Sequence, residues 1–159
     1  MKILIVSDTH HHNDNYARVL ERVSPVDMII HCGDVEGSEF LIRDGAGCPV
    51  EMVEGNNDFF SNLPREREFL IGDYKVWLTH GHAYYVSMGS QFIKEEAKSR
   101  GADIVMFGHT HKPLIEIESD IIAINPGSLT YPRQDGKRPS FIIMDLDREG
   151  KAHFTLNYL

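Results

Sequence analysis

The sequence predicts an α/β fold in which two packed mixed β-sheets are flanked by helices. Short apolar runs recur along the chain and end at polar residues or glycine, and helical patterns lie between the early runs. The second half is instead rich in hairpin-like pairs of runs, a mixture that favours two packed sheets with the helices outside. The 159 residues, 42% hydrophobic and 25% charged, predict one soluble domain spanning residues 1–159.

Five continuous apolar runs predict buried strands, because a strand covered on both faces does not alternate between apolar and polar residues. These runs are Ile3 to Val6, Asp27 to Ile30, Pro49 to Val53, Lys75 to Thr79 and Asp103 to Phe107. Three further patterns predict hairpins. Their paired runs are Phe69–Ile71 with Lys75–Thr79, Leu114–Glu118 with Ile121–Ile124, and Ser140–Leu146 with Ala152–Leu156.

Three segments show helical spacing of their apolar residues. The first, Asn13 to Val23, has Tyr16, Val19, Leu20 and Val23 on one face, with Asn13 or Asp14 as the N-cap and Pro25 after its end. The second, Ser38 to Ala46, ends at Gly45 or Gly47. The third, Ser90 to Arg100, contains the apolar residues Phe92, Ile93 and Ala97 and is followed by Gly101.

Charge and composition exclude several classes of protein. The formal net charge of −8 opposes broad electrostatic binding to nucleic acid. We expect the two cysteines, Cys32 and Cys48, to be reduced and buried, since two thiols make no disulfide framework. The N-terminal run is too short for a signal peptide and no apolar stretch is long enough to span a membrane, so we expect a cytoplasmic protein without membrane contact.

The chemistry-bearing residues lie at the ends of the five apolar runs. The segments are Asp8-Thr9-His10, Gly33-Asp34, Gly55-Asn56-Asn57-Asp58, His80-Gly81-His82 and Gly108-His109-Thr110-His111. Loops at the carboxyl ends of strands converge in α/β folds, so these side chains are expected to meet. Each motif alone has an ordinary explanation, and Gly55 to Asp58 is also good turn chemistry. Together, the Asp, Asn and His donors suit Mn, Fe, Zn, Co or Ni better than Mg or Ca.

These motifs, in this order, resemble those of the calcineurin-like metallophosphoesterase superfamily, and the chain is most similar to its small YfcE/MJ0936-type phosphodiesterases. The resemblance implies a four-layer α/β/β/α sandwich and two divalent metal ions, with Mn²⁺ expected and Ni²⁺, Co²⁺, Fe²⁺ or Zn²⁺ as alternatives. It assigns the first ion to Asp8, His10 and His111, the second to Asn56, His80 and His109, and the bridging position to Asp34.

The implied activity is hydrolysis of a small phosphoester, most specifically a phosphodiester, by a hydroxide held at the dinuclear centre. Asn57, His82 and Asp58 are the candidate catalytic residues. Larger members of the superfamily often have an acidic histidine at the place of Asn57, and an amide does not replace it as a proton donor. His82, His11 and His12 are alternative donors.

The sequence does not decide the roles of two further segments, and it allows two other functions. Asn125-Pro126-Gly127-Ser128, which resembles a stretch common in the small subfamily, either shapes the substrate pocket or forms a structural turn, and Arg133 is a candidate contact for a substrate phosphate. A phosphomonoesterase is one alternative function. Another is a non-catalytic interaction scaffold, as in the similar retromer subunit, whose metal site is degraded. Relatives form dimers or tetramers, so a homo-oligomer is expected.

Overall fold

The computed structural model describes residues 1–159 and contains ten β-strands and three α-helices. The strands are β1 (Lys2–Val6), β2 (Met28–His31), β3 (Val50–Met52), β4 (Glu66–Ile71), β5 (Tyr74–Thr79), β6 (Ile104–Met106), β7 (Pro113–Ile117), β8 (Ile122–Pro126), β9 (Ser140–Leu146) and β10 (Ala152–Tyr158). The helices are α1 (Asp14–Val23), α2 (Glu39–Ala46) and α3 (Gln91–Ser99). None of the helices has the length and apolar character needed to cross a membrane.

The strands form two five-stranded mixed sheets, as predicted. The first sheet has the order β10-β9-β1-β2-β3, and the second has the order β4-β5-β6-β8-β7. In the first sheet β1, β2 and β3 are parallel, β9 is antiparallel to β1, and β10 is antiparallel to β9 at the sheet edge. In the second, β5, β6 and β8 are parallel and lie between antiparallel β4 and β7. The predicted α/β class with two packed sheets is therefore confirmed.

The alternating side chains of β1 show how the four layers are held together. Ile3 and Ile5 belong to the cluster between the two sheets, together with Val76 and Leu78 of the second sheet. Leu4 and Val6 point to the other face, where they pack with Val19 of α1. A third cluster joins the second sheet to α3. Both faces of the parallel strands are thus covered, which explains their continuous apolar runs.

Several local expectations need correction. Asn13, one of the two N-cap candidates, occupies the N-cap position of α1, but its side chain makes no capping hydrogen bond. Of the three apolar residues named in α3, Ile93 and Ala97 are buried, whereas Phe92 is 51% exposed. Cys32 lies fully buried between the sheets as expected, whereas Cys48 is only partly buried. Local spacing did not resolve which side of each short helix meets the sheet.

Gly45 gives a direct test of local helix energetics. It lies inside α2, is exposed, and has no atom within 4 Å of the place where a Cβ would stand. Replacing glycine by alanine in an exposed helix removes backbone freedom from the unfolded chain without adding strain. We expect Gly45→Ala to raise the free energy of unfolding by about 0.5 to 1 kcal/mol, measured by urea denaturation. A loss of stability would contradict this account of α2.

Candidate metal centre

The seven predicted ligands come together because five strands of the two sheets end at one edge of the molecule. Asp8 follows β1, Asp34 follows β2 and Asn56 follows β3, so the first sheet supplies three loops. His80 follows β5 and His109 follows β6 of the second sheet. Parallel neighbours place their carboxyl ends side by side, which is why residues far apart in sequence become neighbours here.

The first group of ligand atoms belongs to Asp8, His10, Asp34 and His111, and all four lie within 4.8 Å of one another. The Nε2 atom of His111 is 3.1 Å from Oδ1 of Asp8 and 3.2 Å from Nε2 of His10. The same His10 nitrogen is 3.7 Å from Oδ2 of Asp34. Donor atoms bound to one ion at about 2.1 Å are roughly 3 to 3.5 Å apart, so the two separations from His111 match a shared cation and the distance from His10 to Asp34 is slightly longer.

A second group lies on the other side of Asp34. Nε2 of His80 is 3.5 Å from Oδ2 of Asp34 and 3.1 Å from Oδ1 of Asn56. Nδ1 of His109 is 2.8 Å from the same Asn56 oxygen. Oδ2 of Asp34 therefore lies between the two groups and is near an imidazole of each.

Two features of the first group fit a metal better than a hydrogen-bond network. Oδ1 of Asp8 is buried and has no hydrogen-bond partner, which costs free energy unless a cation compensates it. The Nε2 atoms of His10 and His111 are 3.2 Å apart, although both rings hold their proton on Nδ1, so two lone pairs face each other. A divalent cation accepting both lone pairs removes both problems.

The tautomers of three histidines follow from their outer contacts. Nδ1 of His10 donates to Glu36 at 2.7 Å, and Nδ1 of His111 donates to the Tyr131 carbonyl at 2.7 Å. Nδ1 of His80 likewise donates to the Cys32 carbonyl at 2.7 Å. Since these acceptors hold a proton on each Nδ1, the Nε2 lone pairs point into the centre as ligands require. Neither Glu36 nor the Tyr131 carbonyl was singled out from the sequence. The only available signal was that a ligating imidazole needs an outer acceptor.

The surrounding charges act on the two buried carboxyls and on a neighbouring histidine. Burial by itself would raise the pKa of Asp8, but the nearby imidazoles of His111 and His80 hold it below its ordinary value. Burial alone would also raise the pKa of Asp34, but His80 and two hydrogen bonds from Asn57 lower this pKa well below the usual range. Burial lowers the pKa of His31 to about 4, so this fully buried ring is neutral near pH 7. The centre therefore offers ionised carboxylates, the form that binds cations.

The backbone at the centre is strained. Five of the seven predicted ligands have a positive φ: 54° for Asp8, 46° for His10, 57° for Asp34, 66° for His109 and 57° for His111. Non-glycine residues rarely adopt this left-handed conformation, and each such residue costs free energy that other contacts must offset. Concentration of this strain on predicted ligands is what a functional centre, rather than a set of ordinary turns, would produce.

Asp58 is the main contact that holds two of these loops together. Its carboxylate accepts hydrogen bonds from the backbone N–H groups of Asp34, Val35, Glu36 and Gly55, at 2.8, 3.0, 2.6 and 2.7 Å. Burial raises the pKa of Asp58, against the effect of these donors. The sequence placed Asp58 among the catalytic candidates. Here it lies beneath the ligands and joins the loop after β2 to the loop after β3.

Asn57 and His82, the other catalytic candidates, differ in position. Asn57 holds Asp34, since its backbone N–H donates to Oδ1 at 2.9 Å and its amide Nδ2 donates to Oδ2 at 2.7 Å. His82 is exposed, with its ring 5.4 Å from that of His80 and 6.1 Å from that of His109. Burial and the neighbouring His80 lower the pKa of His82. It therefore stands at the open side of the second ligand group.

The alternative donors His11 and His12 lie on the side of Asp8. His11 is exposed and contacts the Glu36 carbonyl at 3.1 Å, while the exposed His12 ring lies edge-on to Tyr131 at 6.0 Å. Neither ring touches a residue of the second ligand group.

The segment Asn125 to Ser128 supports the ligand loops from below. Nδ2 of Asn125 donates to the Gly108 carbonyl at 2.8 Å, and Oγ of Ser128 donates to the Asp8 carbonyl at 2.8 Å. Both side chains are fully buried. These contacts support the structural alternative, because they fix the backbone of both Asp8 and the His109 loop.

Comparison with known proteins places the fold and the motifs in one family. The model of the calcineurin-like phosphoesterase superfamily domain matches residues 1–149. The chain belongs to the calcineurin-like phosphoesterase superfamily. Membership supports a hydrolase that acts on phosphoesters, and the cluster of Asp and His residues suggests that it binds divalent metal.

Several named proteins are similar to this chain over most of its length. "Probable metallophosphoesterase MJ0623" of Methanocaldococcus jannaschii is 39% identical, covering 98% of this chain and 80% of its own length. "Phosphodiesterase MJ0936" of the same organism is 33% identical, covering 80% and 83%. An archaeal phosphodiesterase of solved structure has a TM-score of 0.75 at 28% identity, covering 99% and 100%. A zinc-bound Vps29 from Entamoeba histolytica, at 21% identity, 99% of each chain and a TM-score of 0.79, shares the fold.

Gly55 tests how closely the phosphoesterase loops must approach each other. A Cβ at this position would stand 2.1 Å from Oδ1 of Asp34 and 2.4 Å from its backbone nitrogen. Both are parts of the ligand loop, so relief requires displacement of Asp34 itself. We expect Gly55→Ala to weaken metal binding at least about tenfold, measured by titration of the metal-free protein, because the shared ligand is moved by an ångström or more. Gly45→Ala is the matched control, and equal metal affinity in both variants would contradict the prediction.

Proposed function

We propose that this phosphoesterase is a phosphodiesterase whose centre binds two divalent cations, with Mn²⁺ as the expected resident ion. The observation that supports it most directly is the position of Asp34. Its Oδ2 atom is 3.7 Å from Nε2 of His10 in one ligand group and 3.5 Å from Nε2 of His80 in the other. A single carboxylate shared in this way suits a pair of ions about 3.5 to 4 Å apart.

Each ion would have its own ligands besides Asp34. Asp8, His10 and His111 would hold the first, and Asn56, His80 and His109 would hold the second. When bound, such a pair lowers the pKa of a coordinated water and offsets negative charge on a phosphoryl group. The chain supplies anionic carboxylates and Nε2 lone pairs fixed by Glu36, Cys32 and Tyr131.

The remaining polar groups have separate tasks in this proposal. Asn57 orients Asp34 through its two hydrogen bonds. His82, whose pKa is lowered, is mainly neutral near pH 7 and is better suited to donating one N–H to a phosphoryl oxygen than to releasing a proton. Asp58 maintains the loops. Because no strong acid faces the leaving group, we expect the enzyme to prefer esters with good leaving groups.

The choice of a diester over other functions rests on two supports. The similar proteins from archaea that carry a specific activity in their names are phosphodiesterases. The full set of donors also favours catalysis over a binding scaffold, for which the similarity to Vps29 supplies only a shared fold. The cytoplasmic location and a dimeric or tetrameric assembly stay predictions.

The proposal is tested with two chromogenic esters. Hydrolysis of bis(4-nitrophenyl) phosphate and 4-nitrophenyl phosphate is measured after chelation and again after Mn²⁺ is restored. We expect metal-dependent cleavage, faster for the diester, that is lost in His111→Ala and retained in His153→Ala, a control at an exposed histidine paired with Asp147. Faster cleavage of the monoester would make the protein a phosphomonoesterase. Absence of metal-dependent cleavage of either ester would favour the scaffold.

A further inference from the structure

Two cationic side chains lie beside the His111 side of the metal centre. Lys112 directly follows His111, and the backbone N–H of Arg133 donates to the His111 carbonyl at 2.9 Å. The bond from His111 Nδ1 to the Tyr131 carbonyl attaches the same loop a second time. Both cations are therefore fixed, at their backbones, to a predicted metal ligand.

The two cations are not used in ion pairs within the chain. No Asp or Glu oxygen lies within 4.0 Å of the charged groups of Lys112 or Arg133, whereas nearby Lys94 binds both Glu116 and Glu118. A chain with 24 acidic residues against 16 basic ones could readily have neutralised them. Both side chains are exposed, and they are available to an anion from solution.

Two cavities beside the ligand loops are lined by these cations. Lys112 and Arg133 line a cavity of about 660 Å³ that reaches Thr110, the residue between the ligands His109 and His111. Arg133 also lines a neighbouring cavity of about 570 Å³ together with Tyr131 and Lys137. The larger cavity has one carboxylate, Glu116, which accepts a hydrogen bond from Ser90 at 2.6 Å and is ion-paired with Lys94 at 2.9 Å.

The opposite side of the centre offers no unpaired cation. There a cavity of about 450 Å³ reaches His82, and its only Lys or Arg is Arg65, which is paired with Glu54 at 3.0 Å. Glu66 in the same cavity is paired with Arg100 at 2.7 Å. An anionic substituent is therefore attracted more strongly to the side that carries the two unpaired cations, and this difference orients a multiply charged substrate.

We propose that the substrate has a second phosphate besides the scissile phosphodiester, and that Arg133, together with Lys112, binds this phosphate. The inference rests on the proposed function for the scissile group. An arginine fork matches two phosphate oxygens at once, and Lys112 adds a second positive charge. Arg133 is in this view a residue that determines specificity, and it takes no part in bond cleavage.

Two esters that differ only in this group provide the kinetic test. They are thymidine 5′-(4-nitrophenyl phosphate) and the same ester with a 3′-phosphate. We expect wild-type kcat/KM, with Mn²⁺, to be at least about tenfold higher for the 3′-phosphorylated ester, as a charge-assisted contact provides. Arg133→Gln should remove most of this preference, because kcat/KM for the 3′-phosphorylated ester should fall at least about tenfold further than kcat/KM for the simpler ester. Arg148→Gln, at an exposed arginine in the turn between β9 and β10, is the control and should keep the preference.

A binding measurement separates failure of this inference from failure of the proposed activity. Dissociation constants of thymidine 3′,5′-bisphosphate and thymidine 5′-monophosphate are compared by calorimetry on the Mn²⁺-loaded protein. Tighter binding of the bisphosphate, lost in Arg133→Gln, supports the second phosphate site even if neither ester is cleaved. Equal affinities, or an Arg133→Gln variant that affects both ligands equally, would overturn it whether or not hydrolysis occurs.

Discussion

Replacement of Asp34 by asparagine is expected to reduce kcat/KM for a phosphodiester by at least about a thousandfold, a loss of roughly 4 kcal/mol of transition-state stabilisation. The substitution removes the one carboxylate whose Oδ2 is near both ligand groups. A neutral amide has only one oxygen and does not bridge two cations as a carboxylate does. The effect should therefore exceed that of losing a ligand from one group alone.

The contacts of Asp34 make this substitution more severe than its size suggests. Asn57 donates to Oδ1 through its backbone nitrogen at 2.9 Å and to Oδ2 through its side chain at 2.7 Å. Whichever way the introduced amide turns, its NH₂ group faces one of these donors. Two N–H groups in contact repel each other and leave a buried group unsatisfied, so we expect the side chain to rotate away from the centre.

Metal content and activity are measured together on Asp34→Asn, with Asp73→Asn as the control at an exposed turn position. We expect two Mn²⁺ ions per wild-type chain and one or none in the variant. Full activity with unchanged metal content would show that Asp34 does not bridge. Circular dichroism of both variants establishes that the fold is intact.

Replacement of Asp58 by alanine is expected to lower the free energy of unfolding by about 3 to 5 kcal/mol. Four backbone N–H groups from two loops lose their acceptor at once. Asp58 is 6% exposed, so water cannot readily replace it. The positive φ of Asp34 and of Glu36 lies in the same loop, and the lost bonds no longer offset that strain.

The same variant decides between two roles for Asp58. A positioning role predicts that stability and activity fall together in urea denaturation and diester hydrolysis, while Asp135→Ala, at an exposed loop residue, changes neither. An Asp58→Ala protein of normal stability but without activity would instead support the catalytic role predicted from the sequence. Asp58→Glu adds a second measure, since a longer carboxylate restores the charge without restoring the four bond lengths.

Much of the fold was predictable because it depends on local patterns. Continuous runs such as Ile3 to Val6 predict covered strands, and the helical spacing of Tyr16, Val19 and Val23 predicts α1 within one residue of its start. The short segment from His82 to Met88 forms two 3₁₀ turns, which no periodic spacing of apolar residues predicts. Phe92 shows the same limit, since its helix was expected and its exposure was not.

The sequence by itself determined which residue types stand at the ends of the parallel strands, and hence the seven predicted ligands of the centre. Only the tertiary structure decided what surrounds them. Ser128 binds the backbone of Asp8 from 120 positions away, and Asp58 joins two loops. The backbone of Arg133 likewise lies next to the centre because its N–H donates to the His111 carbonyl. The physical reason is that hydrogen bonds between distant loops depend on how the two sheets pack against each other. The residues that make these bonds follow no periodic pattern in the sequence, so the sequence does not identify them.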